Sequence, residues 1–272
     1  MPAFGGLRHD FASPLARTFF FDSLLLSAVV NPAPPIRVGH DPREVGVGRA
    51  MNVNNSFWLD RWSAGQTGWH EADGNALLRQ HWSTLGIPQA AAVLVPLCGK
   101  ARDMAWLAAQ GHPVLGVDLS DRAARAFFEE NDLDYTVEAD AAGQRFAGSG
   151  IQIIAGDFLS LPADRLGSVT GFFDRAALIA LPPEDRVRYA AHLADGLRPG
   201  CRGLLITLAY PQADMSGPPF SVDDAEVRGL FGRHFGIELL TERDALAGND
   251  HLRERGVTAL VERAYRLERT SD

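Results

Sequence analysis

The chain has 272 residues, 46% hydrophobic and 22% charged, a globular composition that excludes wholesale disorder. Its two cysteines, Cys98 and Cys201, can form neither a disulfide framework nor a four-thiolate zinc site, and they point to a reducing, cytoplasmic compartment. A net charge of −8, from 26 basic and 34 acidic residues, disfavours nucleic acid as a partner.

The first fifty residues carry an apolar stretch, Phe19 to Val30, preceded by Arg8 and Arg17. A signal peptide would look similar, but Asp22 interrupts this stretch, and Asn31-Pro32-Ala33-Pro34-Pro35 with Gly39 to Gly48 reads as extended linker. Residues 1–50 are therefore expected to be an extension, disordered or added by an early start codon, with the folded domain running over 51–272. No apolar run is long enough to cross a membrane.

From Met51 onward helices and strands alternate. Asn55 to Ser63 reads as a short helix, broken at Gly65. Asn75 to Leu85 has Leu77, Leu78, Trp82 and Leu85 at helical spacing. Ala92 to Leu97 is a continuous apolar run, as a strand buried on both faces requires. Ala101 to Gln110 is a helix closed by Gly111, and Val114 to Asp118 is the second strand. Ser120 opens a helix with Ala123, Ala124, Phe127 and Phe128 on its inner stripe. Tyr135 to Gly150 is polar and reads as a hairpin or loop insertion. Strands follow at 151–155, ending at Asp174, and at 203–208, with helices over 184–197 and 222–231. The last two strands are expected at 236–240 and from Val257 to Leu267. This order implies a mostly parallel α/β sheet with right-handed crossovers and helices on both faces.

In such a sheet the ligand lies at the carboxyl ends of the strands. The first turn, Val95-Pro96-Leu97-Cys98-Gly99-Lys100-Ala101, lacks the three glycines of a dinucleotide site. It also lacks the glycine of a P-loop at Leu94 and the hydroxyl of one at Ala101. Phosphates are thus disfavoured, while an adenosyl group is not. Asp118, at the end of the second strand, has two roles open: accepting hydrogen bonds from ribose hydroxyls, or capping the next helix. Asp157, after the third strand, could meet an adenine amine or cap a helix. An adenosyl ligand without phosphates points to S-adenosylmethionine. His70, His81, His112 and His251 show no metal-ligand spacing, so no metal is expected.

Several strings then carry a family resemblance: Phe57-Trp58-Leu59-Asp60-Arg61-Trp62, Gly68-Trp69-His70, Pro96-Leu97-Cys98-Gly99-Lys100, Gly111-His112, Phe173-Asp174-Arg175-Ala176-Ala177-Leu178 and Gly217-Pro218-Pro219-Phe220. Over about residues 54–267 the chain resembles the thiopurine S-methyltransferase family in its bacterial form. The resemblance implies a Rossmann-like class I methyltransferase fold, a seven-stranded sheet with one antiparallel strand. It implies that Trp62, Leu97, Asp118, Asp157, Phe158 and Arg175 contact S-adenosylmethionine. Trp69, Arg175 and His251 fall on the acceptor side, with Arg175 as the catalytic residue. Asp118 stands where the family usually has Glu, and His251 where it often has Arg. The first fifty residues have no counterpart.

The function so implied is methylation of the sulfur of small aromatic or heterocyclic thiols by a monomer. Two alternatives stay open at this point. One is methylation of small soft nucleophiles such as sulfide, halide, thiocyanate or selenium and tellurium species. The other is a non-catalytic cofactor-binding module. The Pro- and Gly-rich stretch from Pro211 to Phe220 is expected to be a loop that closes over the site.

Overall fold

The computed structural model describes residues 54–67, 70, 71 and 73–271. The expected extension over 1–50 and the acceptor-side Trp69 lie outside the described residues. A nine-stranded sheet runs in the order β3-β4-β5-β2-β1-β6-β7-β9-β8. The strands are β1 (Ala92–Pro96), β2 (Val114–Asp118), β3 (Thr136–Asp140), β4 (Gly143–Gly148), β5 (Ile151–Ala155), β6 (Val169–Arg175), β7 (Arg202–Ala209), β8 (Phe235–Asp244) and β9 (Val261–Arg269). The helices are α1 (Asn55–Ser63), α2 (Ala76–His81), α3 (Asp103–Ala109), α4 (Asp121–Glu130), α5 (Pro183–Gly196), α6 (Asp224–Phe231) and α7 (Asp250–Glu254).

The expected seven strands are there, and β9 is the antiparallel one among them, pairing with both β7 and β8. The count rises to nine because the polar 135–150 segment forms a hairpin, β3 and β4, that adds antiparallel to β5. The last strand begins at Val261, not at Val257. Val257 and Leu260 are instead buried in a small cluster with Tyr210, Met215 and Leu252. Their apolar run serves loop packing, which looks the same as a strand in sequence.

Alternation along the strands builds the core on both faces. Val93 and Val95 point to the face covered by α2, α3 and α4, where Leu77, Leu107, Phe127 and Phe128 pack. Leu94 points to the opposite face, with Phe172, Tyr189, Leu193 and Val227 from β6, α5 and α6. Among the described residues no helix is long and apolar enough to cross a membrane.

Polar groups tie the second face together. Arg186, only 2% exposed, donates from Nε to the Leu181 carbonyl at 2.8 Å and from Nη1 to Glu226 at 2.5 Å. Asp174, at 1% exposure, accepts from the Tyr189 hydroxyl at 2.7 Å and from the Leu178 N–H at 3.3 Å. Burial pushes the Asp174 carboxyl up to about 6, against the opposing pull of the Tyr189 hydrogen bond. A carboxyl raised in the folded state stabilises fully below its unfolded range and loses that contribution as pH rises toward 6. Tyr189→Phe strips a donor from the ionised form. It should cost about 1–3 kcal/mol at pH 7.5, the usual penalty for an unsatisfied buried group, and less near pH 5. Thermal unfolding of both proteins at the two pH values checks this; equal losses at both would contradict it.

Candidate active site

The chain winds outward from β1 to β2 and β5, then returns to the other side of β1 with β6 and β7. The order of connection therefore reverses between β1 and β6, and the crevice opens at their carboxyl ends. Two non-glycine residues adopt left-handed backbone there, Leu97 (φ 45°) after β1 and Ala176 (φ 69°) after β6. Such strained backbone collects at functional crevices.

The turn after β1 is tied to the end of β2. Gly99, also left-handed at φ 52°, donates its N–H to Asp118 Oδ2 at 2.8 Å. The Ser120 N–H donates to Oδ1 at 3.0 Å. Asp118 is 8% exposed, and burial pushes its carboxyl up to about 6 despite these two donors. A carboxylate offers about four acceptor directions. Two are used here, so the acceptor positions left over suit the two hydroxyl donors of a vicinal diol, as a ribose provides. Cys98 is buried beneath the same turn, and burial together with the Asp118 charge raises its thiol well above the ordinary value. It packs into the core cluster on that face with Val95, Met104 and Phe127.

Asp157 follows β5 and caps a short 3₁₀ turn, accepting from the Leu159 N–H and the Ser160 hydroxyl at 3.0 Å each. Asn55 of α1 also reaches it, at 3.4 Å. Phe158 is 3% exposed and its ring packs on Tyr189 and His192. Leu97 and Asp118 thus flank β1 on one side of the crevice, and Asp157 with Phe158 extends that side.

Arg175 ends β6 on the other side and pairs with Glu71, Nη2 to Oε1, at 2.5 Å. Trp62, buried in α1, lines an open cavity of about 420 Å³ with Thr67, Lys100, Arg122, Arg125 and Glu129. Lys100 is held by Glu130 at 2.6 Å. His251 is exposed on α7, between β8 and β9. Because β9 starts opposite the end of β7, with Val261 beside Ala209, α7 stands on the same sheet edge as the crevice.

The segment after β7 is pinned. The Tyr210 hydroxyl donates to the Pro219 carbonyl at 2.6 Å, Ser221 brackets the Tyr210 backbone, and the Phe220 N–H donates to the Ile179 carbonyl at 2.7 Å. These bonds tie the expected closing loop, Pro211 to Phe220, to the end of β7 and to the Ile179 turn. Sequence reading did not mark Glu71, whose only local signal is its place directly after the Gly68-Trp69-His70 string. Among the described residues no group of three or more His, Cys, Asp or Glu could hold a metal ion.

A family profile described as "Thiopurine S-methyltransferase (TPMT)" matches residues 53–270. A thiopurine S-methyltransferase of Xanthomonas campestris pv. campestris is 49% identical over 217 residues, covering 80% of this chain and all of that relative. One from Azotobacter vinelandii is 48% identical with the same coverage. Among solved structures, the chain resembles Burkholderia thailandensis 1,6-didemethyltoxoflavin-N1-methyltransferase with bound 1,6-didemethyltoxoflavin and S-adenosylhomocysteine. The TM-score there is 0.53 at 18% identity, over 85% of this chain and 94% of that one, a likeness of fold.

Replacing Asp118 by Ala removes the buried acceptor. Affinity for S-adenosylhomocysteine should fall by about 1.5–3 kcal/mol, the range for hydrogen bonds to a charged group. Because the carboxyl sits near 6 and its ionised form is the acceptor, wild-type affinity should also weaken as pH falls below about 6. Asp118→Asn should be weaker throughout and flat across that window. Calorimetry between pH 5 and 8 reads both effects, and an affinity unchanged in Asp118→Ala would remove Asp118 from the expected cofactor contacts.

Proposed function

The chain belongs to the thiopurine S-methyltransferase family, and from that premise we propose that it methylates the sulfur of small aromatic or heterocyclic thiols with S-adenosylmethionine. The observation that carries this reading is one crevice holding both a buried acceptor, Asp118, and a planar cation, Arg175, in a chain that spans the full length of its thiopurine S-methyltransferase relatives. Asp118, the Leu97 turn, Asp157 and Phe158 would hold the adenosyl half, with Trp62 at the N-terminal side. Arg175 would face the acceptor, with Trp69 and His251 completing that side. When bound, the cofactor supplies an electrophilic methyl on a sulfonium.

The residues then have a limited task. A thiolate is already a strong nucleophile, so the protein has to place it in line, exclude water and favour the anion. Arg175 suits this because its guanidinium is always charged and presents a planar fork of donors. Cys98 cannot serve as a base, since its thiol is buried and raised. Lys100 is committed to Glu130. We place the activity in residues 51–272 and expect a cytoplasmic monomer acting on a small molecule.

Two outcomes follow. The rate of methyl transfer should track ionisation of the acceptor, so thiols of lower pKa reach full rate at lower pH, and Arg175→Lys should lose most activity because an ammonium lacks the fork. Profiles for three thiols of different acidity check this; one enzyme-borne pKa common to all three would mean that a protein base does the work. Separately, a chain beginning at Met51 should unfold cooperatively and bind S-adenosylhomocysteine as the full chain does. Loss of either property would make residues 1–50 part of the domain.

A further inference from the structure

Glu71 joins two parts of the molecule that are 104 residues apart in sequence, through its contact with Arg175. Its other oxygen, Oε2, accepts from Asn75 Nδ2 at 3.2 Å. Asn75 is 4% exposed and uses both ends of its amide. Its Oδ1 caps α2 by accepting from the Leu77 and Leu78 N–H groups at 3.0 and 3.2 Å. Its backbone N–H donates to Asp103 Oδ1 at 2.7 Å, and Asp103, also 4% exposed, opens α3. A continuous line of contacts thus runs from a buried carboxylate, through a helix cap, to the guanidinium at the end of β6.

The five N–H groups of a guanidinium lie in one plane. Fixing one terminal nitrogen against a carboxylate that is itself held by a buried amide restricts the direction of that plane. The pair adds little to stability, since the Arg175 and Glu71 side chains are 25% and 37% exposed. Its geometric effect is larger, because a functional group is only as well placed as the residues that support it. We infer that Glu71, anchored by Asn75, is a positioning residue that sets the plane in which Arg175 meets a flat anionic acceptor. This inference rests on the acceptor reading given above.

The test uses the full chain. Arg175 side-chain nitrogens are followed by NMR, the signals being assigned by their loss in Arg175→Lys. Wild type should give resolved, slowly rotating Nη signals. Glu71→Ala should average them, and Glu71→Gln, whose amide oxygen still accepts, should restore them in part. In parallel, Glu71→Ala should lower kcat/KM for a thiol by roughly tenfold or more, as expected for a misplaced group. That loss should vanish in an Arg175→Ala background. Arg175 signals unchanged by Glu71→Ala, or losses that multiply in the double variant, would overturn the positioning role. The NMR readout needs no turnover. Slow Arg175 nitrogens that average in Glu71→Ala, in a wild-type chain that methylates no thiol, would sink the acceptor reading and leave the Glu71 contact supported. Turnover with freely averaging wild-type nitrogens would do the reverse.

Discussion

Ionisable groups buried at the carboxyl edge of a parallel sheet are the constraint around which this molecule is arranged. Asp118 has little access to water, and an unpaired carboxylate there would be costly. The fold answers by bending the turn after β1 until the Gly99 N–H points at Oδ2, and by starting α4 so that the Ser120 N–H points at Oδ1. The same solution recurs at the end of β6, where Asp174 is met by a phenol and a backbone N–H. β1 is thus flanked by two strands that each carry a buried, hydrogen-bonded acid at or next to their last residue. The left-handed backbone of Leu97 and Ala176 is tolerated because these contacts over-determine the turns that contain it.

A crevice built this way divides its labour. The β2 and β5 side is made of acceptors held by backbone donors, which suits a neutral, hydroxyl-rich ligand half. The β6 side presents Arg175, a cation aligned by side chains from a distant segment. One flank is fixed by the sheet itself, while the other depends on Glu71, held by Asn75, reaching Arg175.

Most of the fold was legible in the sequence because its signals are local. Continuous apolar runs marked β1 and β2, glycines and caps marked the helix ends, and the alternation of strands and helices set the layer order. The errors have local causes too. The count of seven strands left out the hairpin: β3 is almost wholly exposed, so its polar residues carried no burial pattern, and the segment, rightly readable as a hairpin, gave no sign that it extends the sheet. Val257 and Leu260 mimic a strand because a satellite cluster needs the same residue types. In the site, Asp118 was a candidate from its place at the end of a predicted strand, whereas Arg175 was singled out only through the family resemblance. Glu71 was not singled out at all, because an ion pair between segments this far apart leaves no periodicity. The stretch 211–220 read as a loop from its composition, and the bonds by which Tyr210 and Ser221 bracket it are not encoded there.

The borders of the sheet have a consequence for how the protein behaves in a crowded solution. Among the described residues an open sheet leaves two strands, here β3 and β8, with one side unpaired, and such strands invite other chains to add to them. Both are furnished with charge: Glu138 on β3 pairs with Arg145 on β4, and Glu242 and Arg243 on β8 pair with Arg263 and Glu262 on β9. A strand docking on either side would have to desolvate these ions without offering them partners. The hairpin that lengthens the sheet therefore also moves its border outward, from the apolar Ile151–Ala155 strand to a polar one. What reads in the topology as an insertion acts as a selvedge, a finished margin that keeps the apolar strands behind it from fraying into aggregates.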